Sequence, residues 1–197
     1  MTLFERSPEE WVNYYLYDQK QRVSRNMAYG SLMAEGLELG TATGDPLLDL
    51  MMARLPKFEL MDKPFEAFLD NSTKGKNGKY EVITVLIKPD TTKADLSAFK
   101  EYKTSVRKWT QKMADDSASQ GQICFYSTGM WLLKKKIPQD IELVNVQVDY
   151  LEDGRLAPTG ELWRFPVQTT LSDVIKMTNR IRIAWQGIKD LCEKELL

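Results

Sequence analysis

Asp90, which closes Pro89-Asp90, and Glu101 and Lys103 of Glu101-Tyr102-Lys103 are the residues whose types and spacing could do chemistry. Glu101 and Lys103 are two positions apart on an expected strand. Strand side chains alternate, so both point to one face of a sheet. Asp90 is expected where the preceding strand closes, with Asp95 as the alternative if the intervening turn is shorter. Two carboxylates and the backbone carbonyl of Tyr102 make an oxygen-rich site suited to Mg2+ or Mn2+. An ammonium at Lys103 could polarise a water and stabilise charge developing on a phosphate. A second acidic-x-lysine triplet, Asp18-Gln19-Lys20, falls in an expected helix, where positions i and i+2 diverge. Further on, Gln122 and Tyr126 are four apart and share a helical face.

Histidine is absent from all 197 residues. That excludes Ser-His-Asp and Cys-His triads, histidine-ligated zinc and histidine as a general base. Hydrolysis would have to rest on carboxylates, lysine, tyrosine and oxygen-liganded cations. Lys plus Arg number 27 against 28 Asp plus Glu, a net charge of -1, so this is not a strongly basic packaging protein. Acids that hold a metal can still offset a local basic surface. Cys124 and Cys192 are too few for a cluster held by four cysteines and read as core residues in a reducing compartment. No charged-then-apolar leader opens the sequence and no apolar run reaches about 18 residues, so no membrane span and a cytoplasmic location are expected.

The elements that must position these residues read as one mixed α/β domain over 1–197. Ser7-Pro8-Glu9-Glu10 is a helix start, with Ser7 as N-cap, and that helix is expected to run to about residue 22 and bury Trp11, Tyr14 and Tyr15. Helices follow over 26–39, stopped by Gly40, and from Asp45-Pro46 through 55. Residues 71–79 read as a turn, 80–87 as a β-branched strand and 96–102 as a second. Residues 106–133 are helical in pattern. Strands over 141–151 and 161–167 flank a turn at Asp153-Gly154. A last amphipathic helix, 170–196, sets Leu171, Val174, Ile175, Thr178, Ile181, Trp185 and Ile188 on one stripe.

Pro89-Asp90, Glu101-Tyr102-Lys103 and the Gln122-x-x-x-Tyr126 helix, preceded by a glycine-led acidic helix, Gly30 to Glu38, resemble the PD-(D/E)xK nuclease superfamily, in its RecB-like branch that includes phage exonucleases. The resemblance covers residues 7–196. It implies a restriction-endonuclease-like core, a central mixed sheet flanked by helices. It also implies that Asp90 and Glu101 bind one or two divalent metals, that Lys103 helps activate the water, and that Gln122 and Tyr126 flank the site and contact substrate. RecB-like members commonly carry a metal-binding histidine in the early helix; here Ala34 and Glu35 stand at that place. Glu35 is the implied replacement, with Glu38 one turn away. The iron–sulfur cysteines of some members are missing.

The implied activity is metal-dependent DNA hydrolysis, exonucleolytic rather than endonucleolytic, in recombination, repair or phage DNA processing. The implied partners are DNA and a recombination or annealing protein, and a homo-oligomer is open. The alternative is a nuclease-fold module that grips DNA or a partner protein without cleaving.

Overall fold

In a computed structural model, residues 7, 8, 10, 24–74 and 80–195 are described. Ser7 Oγ accepts the Glu10 N–H at 3.3 Å, as an N-cap should. The body of that expected helix, with Trp11, Tyr14, Tyr15 and the Asp18-Gln19-Lys20 triplet, lies outside the described residues.

Helix α1, Arg25–Leu39, is capped by Ser24 and ended by Gly40, whose φ of 64° is the left-handed conformation that glycine adopts without a Cβ clash. It buries Met33 and Gly36, whereas Met27 and Leu39 stay exposed. Helix α2, Pro46–Ala53, starts where expected, with the Asp45 carboxylate accepting two backbone N–H groups. The strands are β1, Leu60–Met61; β2, Phe65–Lys74; β3, Tyr80–Ile87; β4, Thr91–Thr92; and β5, Ala98–Ser105. Helices α3, Gln111–Gln120, and α4, Gln122–Lys134, lead to β6, Asp140–Tyr150, and β7, Leu156–Val167, and α5, Leu171–Glu195, follows as the last element.

Five strands form a mixed sheet in the order β1-β4-β5-β6-β7, and β2 and β3 pair apart as an antiparallel hairpin. Among the described strands only β5 and β6 run parallel to each other, and a parallel pair needs a long crossover. Helices α3 and α4 supply it. Phe99, Ile141, Leu143 and Phe165 face a core shared with α3, α4 and the hairpin. Tyr102, Val144 and Val146 face the opposite core, made with α1 and α2. The mixed α/β class expected from the sequence is therefore the observed one, with the five-stranded sheet between two helical layers.

Several boundaries differ from the sequence reading, each for a local reason. Residues 71–74 belong to β2, because Phe65, Ala67 and Leu69 continue an alternating face that the polar 71–79 stretch obscured. The second expected strand begins at Ala98, not 96. Leu96 sits at φ 63° in a tight turn where Asp95 Oδ1 accepts the Ser97 N–H at 2.9 Å. Gly121 splits the long helical pattern into two helices, and 106–110 precede them unwound, with Thr110 capping α3. Lys135 ends α4 in the left-handed region. In α5, Leu171 and Ile175 are exposed, and Met177 joins Val174 and Thr178 in the buried face.

The even-numbered face of β5 carries a closed charge network. Lys100 Nζ donates to Glu142 Oε2 at 2.9 Å, and Arg164 clasps both oxygens of Glu142 at 2.8 and 2.9 Å. The hairpin is seated on α4 through Gly129, where an added Cβ would lie 2.5 Å from Ile87 Cγ2. Gly129→Ala should therefore destabilise the fold by about 1–3 kcal/mol through overpacking. A lowered urea midpoint with an unchanged slope would register it; an unchanged midpoint would mean that the hairpin does not pack there.

Candidate active site

The ladder between β4 and β5 ends at the pair Thr91 and Lys100. One residue earlier in the chain, the Asp90 carboxylate takes over and accepts the Tyr102 N–H at 2.5 Å. The proline before Asp90 and the short β4 after it fix that side chain against β5. In a strand the N–H and C=O of one residue point to the same side, so the Tyr102 carbonyl faces the same edge. Its phenol is tied away on the other face, donating to the Pro56 carbonyl at 2.6 Å.

Glu101 is 2% exposed, on the odd-numbered face with Phe99 and Lys103. Its Oε1 accepts from Lys103 Nζ. Its Oε2 is buried and has no hydrogen-bond donor. Lys103 also donates to Gln122 Oε1 at 2.7 Å, and Gln122 Nε2 donates to the Tyr126 hydroxyl at 2.7 Å. Gln122 can take the first position of α4 because Gly121 restarts the helix there. The Tyr126 ring packs edge-on against Phe99 at 6.1 Å. The structure thus brings together Asp90, Glu101, Tyr102, Lys103, Gln122 and Tyr126. Here Gln122 holds Lys103 directly, a positioning contact beyond the substrate contact that the resemblance implied.

Asp95, the alternative acid, caps its own turn on the surface. Glu35 is exposed, off the buried Met33 and Gly36 stripe of α1. Glu38 instead reaches toward the site, 3.8 Å from Lys88 Nζ. Lys88 also pairs with Asp62 at 2.8 Å.

Asp62 is a neighbour that the sequence reading missed. Its N–H donates to the Asp90 carbonyl at 2.9 Å, and its φ of 48° is unusual for a non-glycine. A two-residue strand leading into a left-handed residue has no periodicity to read. Asn145 was missed too: it is fully buried, pairs in register with Lys103, and its Oδ1 lacks a donor. With Gln147 it is one of two polar positions in the otherwise apolar 143–148 stretch of β6, and that interruption was a readable signal.

Burial pushes the Asp90 carboxyl up to about 8, and the neighbouring Glu101 adds to the shift. Burial raises Glu101 as well, against the lowering pull of Lys103 and, more weakly, of hydrogen-bonding contact with Asp90. Like-charged carboxyls in a poorly hydrated corner hold a proton unless a cation replaces it. Among the described residues, no three carboxylate, cysteine or histidine side chains converge as a ready-made cage. The donor set still fits a hard divalent cation: two carboxylates, one oxygen orphaned, and a strand carbonyl at the same edge. The chain matches no family model and no curated protein.

The pH response follows. Between about pH 4 and 8 the folded metal-free protein keeps a proton that an unfolded Asp90 releases, so stability is greatest at the acid end of that window and declines as pH rises through it. Thermal melts of metal-free protein should show Tm falling across this range, and Asp90→Asn should flatten the decline. A wild-type Tm that rises with pH over the same range would contradict the arrangement.

Proposed function

We propose that the chain is a divalent-metal-dependent deoxyribonuclease of PD-(D/E)xK type. The observation that carries this reading is the buried, donorless Oε2 of Glu101 beside Asp90, on the same carboxylate that Lys103 engages. Asp90, Glu101 and the Tyr102 carbonyl would hold Mg2+ or Mn2+. Bound there, the cation would supply Lewis acidity and a water of lowered pKa.

The chain's own residues do the rest. Glu101 holds the Lys103 ammonium over the site, and Gln122 fixes it from the other side. From there Lys103 can orient an attacking water and offset negative charge growing on a phosphoryl oxygen. Tyr126 fixes the direction of the Gln122 amide by accepting from its nitrogen, so the amide oxygen stays turned to the lysine. The Tyr126 ring is in turn held by edge-on packing against Phe99.

DNA as substrate, exonucleolytic action, a role in recombination, repair or phage DNA processing, a recombination or annealing partner, a homo-oligomer and a cytoplasmic setting come from the resemblance and belong to the same proposal. Among the described residues, no helix is long and apolar enough to cross a membrane. A second reading, DNA gripped without cleavage, is favoured by the first helix: Glu35 and Glu38 are both exposed, and Glu38 is engaged by Lys88.

Linear duplex and single-stranded DNA incubated with Mg2+ or Mn2+ should be degraded. Lys103→Ala should slow the reaction by about a hundred- to a thousandfold, the usual effect of removing one preorganised electrostatic group. Degradation undiminished in Lys103→Ala would assign the activity to a contaminant and remove the reading. Salt-sensitive binding without cleavage would favour the second.

A further inference from the structure

We propose that Asp62 is a third carboxylate of the cation site and that Lys88 is the ammonium it exchanges when a cation binds. The proposal rests on the metal reading above and adds to it a ligand and a built-in counter-ion.

Topology places Asp62 there. Strands β1, β4 and β5 are neighbours in that order, with Met61 opposite Thr91 and Thr91 opposite Lys100. One step beyond those pairs, Asp62, Asp90 and Glu101 stand at consecutive places across the end of the three-strand ladder. The hydrogen bond from Asp62 N to Asp90 O, at 2.9 Å, ties the first two. Asp90 feels the charge of both Glu101 and Asp62, and the Tyr126 hydroxyl on the helix above feels all three acids. An acidic row alone does not make a site. The buried Glu101 Oε2, with no donor, is the independent sign that a positively charged ligand belongs among them.

As they stand the three carboxylates do not converge on one point, and Asp62 is not free to join that ligand. Its Oδ2 is held by Lys88 at 2.8 Å, and the same ammonium leans toward Glu38 at 3.8 Å. The two partners differ in burial: the Lys88 side chain is 44% exposed and that of Asp62 is 17% exposed. Lys88 can therefore swing into water at little cost, while the Asp62 carboxylate stays at the sheet edge. A divalent cation brings two charges where the ammonium brings one, so the exchange improves the balance among Asp62, Asp90 and Glu101. Released Lys88 keeps Glu38 as a partner.

The test uses Mn2+ alone, titrated into the full chain by calorimetry and by the loss of the free Mn2+ spin-resonance signal. Wild type, Asp62→Asn, Asp90→Asn, Lys88→Gln and the Asp62→Asn/Lys88→Gln double variant are compared. Asparagine tolerates the left-handed backbone that Asp62 adopts, so Asp62→Asn should fold, and its melting curve without metal checks this. Asp62→Asn should weaken Mn2+ binding by about tenfold or more, a tenfold change being about 1.4 kcal/mol. Lys88→Gln should tighten binding severalfold in the wild-type background and clearly less once Asp62 is gone, since Lys88 then acts only through the field it shares with Asp90 and Glu38. Unchanged affinity in Asp62→Asn, or equal tightening by Lys88→Gln in both backgrounds, overturns the proposal. If Asp90→Asn abolishes binding in that case, the metal reading stands without Asp62. No Mn2+ binding by wild type, or binding indifferent to Asp90→Asn, overturns both.

Discussion

Two carboxyl groups, the buried Glu101 and the half-buried Asp90, are held side by side with little access to water, and the surrounding structure is arranged around that penalty. Burying one carboxylate is unfavourable and burying two together is worse, because each raises the energy of the other's charge. Asp90 is compensated by the Tyr102 N–H that the short β4 strand leaves available. Glu101 is compensated on one oxygen only, by Lys103. The lysine is aimed by Gln122, and Gln122 is aimed by Tyr126. Remove the corner and this chain of side chains has no evident reason to be ordered.

The opposite face of the same strand shows what a purely structural buried ion pair looks like. Both oxygens of Glu142 are engaged, one by Arg164 and the other by Lys100 and Arg164. Its carboxyl is accordingly lowered, since hydrogen bonds from Arg164 and Lys100 outweigh its burial. Glu101 is buried more deeply, is raised rather than lowered, and keeps one oxygen unmatched. The Glu142 network is complete in itself; the half-paired Glu101 is what the proposed cation site rests on. The contrast lies between two neighbouring, paired strands, β5 and β6.

Much of this was legible in the sequence because strand alternation and helix spacing are rigid rules. Glu101 and Lys103 had to share a face once they lay on a strand, and Gln122 and Tyr126 once they lay on a helix. Asp90 against Asp95 was left open, and the tight turn at Leu96 resolved it by engaging Asp95 with its own backbone. Glu35 against Glu38 depended on which way α1 rolls, and the weakly amphipathic pattern of that helix gave little guidance: its buried residues are Met33 and Gly36, a glycine that no hydrophobicity rule selects. Asp62 and Lys88 were illegible for another reason. Both lie just past element ends, Asp62 after the two-residue β1 and Lys88 after β3, where position depends on strand pairing and not on any periodic pattern.

The parallel pairing of β5 with β6 also sets an order of assembly. Strand β4 and the hairpin can meet their antiparallel partners soon after they are made. The strand that carries Glu101 and Lys103 must wait for β6, which arrives only after both crossover helices. Contacts so distant in sequence form late, because the loop between them must close first. The acids and the lysine therefore stay hydrated through most of folding, and the mutual repulsion of Asp90 and Glu101 is felt only when the last layer closes over them. If the proposed cation binds there, it acts on that final step of folding, and completion of the molecule and binding of the ion are coupled.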